Sequence, residues 1–180
     1  MSAKQPNYPP PNELPPYSAP PPIPSLPAAN APPSASGQRI PLSTDTPFPS
    51  PSTLPPSSLH DLGGTHQVVY VGSALFESSV HPCKIASHLN PPVRVPYGGE
   101  EHEHWGRFDL LPINDQTMEW VLTSHGKIPA GRRPVTGGYE ENGSRLYHAI
   151  AQVNGVWVPG KTGEHLVCQI CCALSCSLTT

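Results

Sequence analysis

The chain has 180 residues, 13 % of them charged, and a net charge of −3. That length suits about one domain. The acidic balance with scattered basic residues excludes the positive footprint of a nucleic-acid binder, and no apolar run reaches the length of a membrane span.

The first residues, MSAKQPNYPPP, lack the apolar stretch of a secretory signal. The chain therefore reads as cytoplasmic, a setting in which its five cysteines are not expected to form disulfides. Of the 27 prolines, 19 fall in the first sixty residues, where charged residues are few. Such a stretch offers too little apolar surface to offset chain entropy. Residues 1–60 read as a disordered proline-rich arm. Within it Leu14, Pro15, Pro16 and Tyr17 spell L-P-P-Y. A tyrosine after a polyproline turn suits the aromatic groove of a WW domain, so a WW-domain protein is one expected partner.

From residue 61 the chain writes one phrase twice. VHPCKIASHL and WVPGKTGEHL share P-x-K-x-x-x-H-L. In one ungapped frame, offset by 77 positions, Tyr70 matches Tyr147, Ala74 matches Ala151 and Pro82 matches Pro159. Lys84 matches Lys161, His88 matches His165 and Leu89 matches Leu166 in the same frame. A repeated phrase of this length implies a repeated supersecondary unit. The expected organisation is a tandem repeat over 61–170, with a first unit at 61–114 and a second at 115–170.

In the first unit, 67–75, Val93–Tyr97 and Arg107–Leu111 read as strands. Between the last two lies GGEEHEHW, where His102 and His104 sit two apart on a strand face, flanked by Glu100, Glu101 and Glu103. Zinc prefers three or four convergent ligands, and acidic–histidine turns are common on surfaces, so no metal and no cofactor is expected. In the second unit, Asn142-Gly143 and Asn154-Gly155 mark tight turns. The strand between them puts Tyr147, Ala149, Ala151 and Val153 on one face. Strands are expected at 135–140, Arg145–Val153 and 156–159. No segment shows a helical period. The expected fold class is all-β, a small sandwich or barrel of short antiparallel strands built from two related repeats.

Several motifs of this part resemble the DM9 repeat, found in natterin-like proteins and invertebrate mannose-binding lectins. They are the opening E-W-V at 119–121, G-G-Y-x-x-N-G at 137–143, the Y-x-A-x-A strand and P-G-K-x-x-x-H at 159–165. In the first unit, VPYGGEEHEHWGRFDLL resembles the family's closing segment. The resemblance implies a tandem-repeat β fold and, in some members, metal-free binding of mannose. It implies contacts from an acidic residue just after G-G-x and from the lysine of P-G-K. Here those positions are Glu140 and Lys161, with Lys84 in the first unit. Tyr139 or Trp157 would offer a ring to the apolar face of a sugar.

Two departures stand out. The first unit lacks the G-G-Y hairpin, and His66 takes the acidic position, so its own site is expected to be incomplete. After Ile170 the family pattern calls for Y-G-G-x-E-H and a final strand, but the chain reads CCALSCSLTT. Residues 171–180 are expected to be a non-homologous cysteine-rich tail that leaves the second unit short of strands, as an altered frame or splice product would. Missing strands leave open a homodimer in which a second chain supplies them. Cys168 to Cys171 spell C-x-x-C at the start of this cysteine cluster, without a second pair at zinc spacing.

No G-x-S-x-G, phosphate loop or Cys-His pair with an orienting third group occurs, so an enzyme is not expected. The expected function is a non-catalytic carbohydrate-binding module of mannose type. The alternatives are an adaptor recruiting a WW-domain protein, or a truncated product that binds nothing.

Overall fold

A computed structural model describes residues 37–57, 59–60, 67–128, 130–166 and 171–177. The L-P-P-Y motif at 14–17, the rest of the arm to residue 36, His66 and Cys168 lie outside the described residues. Among the described residues there are thirteen strands, one short 3-10 turn at Pro51–Thr53 and no α-helix. The all-β expectation holds.

The strands are β1 (Ile40–Ser43), β2 (Leu59–His60), β3 (Val68–Leu75), β4 (Val80–Ile85), β5 (Val93–Tyr97), β6 (Glu100–His104) and β7 (Arg107–Leu111). They continue with β8 (Met118–Thr123), β9 (Arg132–Pro134), β10 (Thr136–Tyr139), β11 (Arg145–Val153), β12 (Val156–Thr162) and β13 (Cys171–Ser177). The main path runs β1-β7-β3-β4-β10-β11-β13-β8, and the pairings are antiparallel.

The offset of 77 read in the sequence is an offset of register in space. In the first hairpin Tyr70 faces Ile85 and Val71 faces Lys84. In the second, Tyr147 faces Thr162 and His148 faces Lys161. Every cross-strand pair of β3–β4 maps by the same shift onto a pair of β11–β12. The flanking strands match as well. β7 lies between β1 and β3, and β13 lies between β8 and β11.

β3 is buried on both faces, which is why VVYVGSAL does not alternate polar with apolar residues. Val69 and Val71 enter a core that also takes Leu111, Val135, Ile150 and Leu174. Tyr70 and Ala74 enter a second core with Ile85, Val95, Phe108 and Leu110. The first core thus mixes side chains from both repeats. Each fully buried aliphatic contributes about 1.5–3 kcal/mol.

Three expectations are corrected. Residues 37–57 and 59–60 belong to the fold: β1 pairs with β7, β2 pairs with β3, and Ile40, Leu42, Phe48 and Leu54 pack on the second core. Proline density hid these spaced apolar anchors. The expected strand 135–140 is broken by an irregularity between Thr136 and Gly138, and β10 borders both β4 and β11 there. The stretch 171–177 is not a tail outside the fold. β13 pairs with β8 along its length and with β9, and it buries Cys172, Ala173, Leu174 and Cys176. Among the described residues the second unit shows no counterpart of the β5–β6 hairpin. The first unit joins β4 to β7 through residues 86–106, whereas β12 is joined to β13 by 163–170 alone.

Candidate ligand-binding site

β12 runs on to Thr162, past the expected end at 159, and carries Lys161 on a paired, rigid strand opposite His148. Glu140 follows β10, where its backbone N–H donates to the Ser144 carbonyl and its carbonyl accepts from Gly143 across the Asn142-Gly143 turn. This turn folds the Glu140 carboxylate back onto Lys161, with Nζ to Oε1 at 3.1 Å. The side chains of Lys161 and Glu140 keep 9 % and 13 % of their surface exposed, so water screens the pair far less than it would on an open surface.

The first repeat completes the cluster. Gly137 and Gly138 let β10 pass against β4, bringing Tyr139 opposite Val80. A Cβ on Gly138 would stand 1.9 Å from the Val80 carbonyl oxygen. The next residue of β4, His81, then reaches Lys161, with Nδ1 to Nζ at 2.9 Å. A lysine ammonium only donates, so Nδ1 accepts and the ring proton sits on Nε2. From Nε2 the chain of bonds continues to Ser79 Oγ at 3.1 Å, and the serine hydroxyl donates to Glu141 Oε1 at 3.0 Å. Burial holds the His81 pKa below its ordinary value and the Lys161 charge lowers it further, against the opposing pull of Glu140 and Glu141. His81 is therefore neutral at pH 7. The Glu141 carboxyl is held below its usual range, first by a backbone N–H and then by Ser79.

Tyr97, at the end of β5, places its ring 4.9 Å from the Lys161 ammonium, close enough for a cation–π contact. Tyr97 and Lys161 both line a hollow of about 550 Å³ between the β5–β6 turn and the outer face of β11–β12. Its other polar walls are Lys84, Glu100 and Glu101, and its apolar wall includes Ala151, Val153, Val158 and Pro159. Lys84 donates to Glu101 Oε2 at 2.8 Å. On the other side, Ser144, Arg145, Tyr147, Glu164 and His165 line a hollow of about 430 Å³. His165 Nε2 is 3.6 Å from Glu140 Oε1. Glu140 thus links a residue that walls one hollow to a residue that walls the other.

The structure brings Glu140 and Lys161 together and puts Lys84 on the wall of the hollow that Lys161 shares. Tyr139 is half exposed at the end of β10; the ring that meets the ammonium is that of Tyr97. His81, Ser79, Tyr97 and Glu101 were not anticipated. His81 aligns with Val158 under the shift of 77, so the repeat gave no signal for it. Tyr97 and Glu101 belong to the hairpin that has no counterpart among the described residues of the second unit.

The histidines of β6 turn to backbone carbonyls, His102 to Tyr97 at 3.1 Å and His104 to Arg107 at 2.9 Å. A different group, His81, Glu140 and Glu141, has ligand atoms within 4.8 Å of one another. Lys161 already puts a cation against His81 and Glu140, so a metal ion would have to displace its ammonium.

Two repeats of antiparallel strands with an ion-pair cluster and a hollow at their junction define a tandem-repeat β module, and the hollow is its candidate ligand site. The DM9 repeat model matches residues 64–174, and the chain belongs to that family, which includes carbohydrate-binding, lectin-like modules. The match runs into β13, in keeping with a last strand that is part of the repeat. No curated protein matches the chain at a significant level.

Proposed function

We propose that this protein is a non-catalytic, cytoplasmic carbohydrate-binding module that takes a mannose-type glycan at Glu140 and Lys161. The observation that carries this reading is the state of the Lys161 ammonium. Glu140 and His81 take two of its N–H groups at 3.1 and 2.9 Å, and a lysine has three to give. Glu140 spends Oε1 on Lys161, while Oε2 lies 3.7 Å from His81, beyond hydrogen-bond range. A fixed donor beside a fixed acceptor matches the vicinal hydroxyls of a sugar. The cluster is preorganised by its own bonds, which lowers the ordering cost of binding.

Isothermal titration of the full chain with mannose tests the reading. Mannose should bind, galactose should not, and Glu140→Gln or Lys161→Met should weaken mannose at least about tenfold, the loss of one charge-assisted hydrogen bond. Affinity unchanged in both variants would remove the site from these residues.

A further inference from the structure

Lys84 and Lys161 hold the same place in the two repeats, yet they do not line two separate sites. Both line the one hollow of about 550 Å³. Lys161 is anchored by Glu140 of its own repeat. In the first unit the position equivalent to Glu140 holds His66, which carries no carboxylate and lies outside the described residues. Lys84 is anchored by Glu101 of β6, at 2.8 Å. Glu101 keeps 41 % of its side-chain surface exposed and Lys84 keeps 8 %, so the carboxylate faces the open side while the ammonium is held behind it. The hairpin carrying Glu101 leans over β11–β12 of the other repeat and closes the hollow with Tyr97, Gly98 and Gly99. Among the described residues the second unit shows no such hairpin, so they build no second copy of this hollow across the junction.

Size sets the ligand class. At about 550 Å³ the hollow falls within the roughly 300–1,000 Å³ of clefts that take ligands larger than one sugar ring. One ring at Lys161 leaves room beside Lys84 and Glu101. Each ammonium is matched by its own carboxylate, so the walls favour a neutral ligand over an anionic one. Val153, Val158 and Pro159 supply a surface for the apolar face of a ring.

Resting on the carbohydrate reading above, we propose that Lys161 and the Lys84–Glu101 pair form one composite site across the two repeats, which binds a neutral glycan of at least two sugar units, one per chain. Mannose alone sits at Lys161 and Glu140; the next unit reaches Glu101 and Lys84.

Calorimetric titration of the full chain with mannose and with an α-linked mannobiose tests this. The disaccharide should bind with a stoichiometry of one and at least about tenfold more tightly than mannose. Lys84→Ala and, separately, Glu101→Gln should each weaken the disaccharide at least about tenfold, by a larger factor than they weaken mannose. Glu101→Gln changes a half-exposed side chain, so it keeps the test sound should Lys84→Ala unfold. The composite site is overturned if mannobiose binds no tighter than mannose, if both variants leave the disaccharide untouched, or if the chain takes two equivalents and Lys84→Ala removes one. Binding of neither sugar by the unaltered chain overturns the carbohydrate reading itself, and this proposal with it.

Discussion

Nη2 of Arg39 lies 3.0 Å from Nε2 of His148, so a residue just ahead of the first strand reaches the middle of β11 in the second repeat. The same guanidinium donates through Nη1 to Asp109 Oδ1 at 2.7 Å and to Ser73 Oγ at 2.9 Å, both in the first repeat. Ser73 in turn donates to the Gly137 carbonyl at 2.6 Å. Arg39 has no acceptor, so Nε2 of His148 accepts and the ring proton sits on Nδ1, which is buried without a partner. Leaving such a donor unmet costs about 1–3 kcal/mol, a cost the Arg39 contacts offset.

Arg39→Met should therefore destabilise the whole domain rather than fray its first strand. Removing one partner of a buried pair costs about 3–5 kcal/mol. Arg39 and Asp109 keep about a fifth of their side-chain surface exposed, at 22 % and 20 %, so about 2–3 kcal/mol is expected after screening. Urea unfolding would show it as a lower midpoint at unchanged slope. A midpoint that stays put would mean that Arg39 does not tie the repeats together.

The G-G-Y turn should be least tolerant at its second glycine. Gly138 has a φ of 150°, and an added Cβ would stand 1.9 Å from backbone oxygen of Val80. Neither atom can move without parting β10 from β4. Gly138→Ala is expected to cost more than about 3 kcal/mol and to lower sugar affinity, since β10 carries Glu140 toward Lys161. Gly143→Ala, with φ of 82° and open space around it, should cost only about 1 kcal/mol. Paired thermal melts compare them directly, and equal losses would show that the close approach to β4 is not what Gly138 serves.

Which parts of this arrangement a reader of the sequence can see follows from what repeats. Tyr70 and Tyr147, Pro82 and Pro159, and Lys84 and Lys161 all recur at one spacing, so the two hairpins and their common register were legible. The Asn-Gly turns were legible because positive φ has a residue signature; Asn154 and Gly155 do take it, at 49° and 84°. β4 was harder to see because Pro82 sits inside it, and a proline argues against a paired strand. β1 and β13 were hidden for opposite reasons. Arg39 to Ser43 is embedded in proline-rich chain, while CCALSC has no counterpart in the first repeat to match. At the site, Glu140 and Lys161 were legible from the resemblance, but His81, Tyr97 and Glu101 come from the other repeat. Only the three-dimensional junction brings them to Lys161.

Stability should fall on the acid side. Burial holds the His148 pKa well below its ordinary value of 6.5, with Arg39 lowering it further, and burial likewise lowers that of His81. For both, the unfolded chain binds protons that the folded chain refuses. Stability from these groups is complete above about pH 6.5 and is lost as pH falls from there toward the lowered folded values. Urea unfolding at pH 7.5 and at pH 5.0 should show the loss. His148→Gln, which offers Arg39 an acceptor that does not titrate, should flatten the slope; an undiminished slope would place its origin elsewhere.

Sugar binding should have its own acid limb through His81. At neutral pH Nδ1 of His81 accepts from Lys161 at 2.9 Å and helps hold the ammonium in place. Protonating that nitrogen removes the acceptor and sets a second positive charge against Lys161. Glu140, whose Oε2 is 3.7 Å from the ring, is then drawn toward His81 as well. Mannose affinity should therefore weaken as pH falls below the ordinary histidine range, while the domain is still folded by circular dichroism. His81→Gln keeps a neutral acceptor near Lys161 and cannot charge. It should bind mannose within about threefold of the unaltered chain at pH 7.5 and lose the acid limb, whereas Lys161→Met should bind poorly at every pH. Were His81→Gln to keep the acid limb intact, the proton that governs binding would belong to another group.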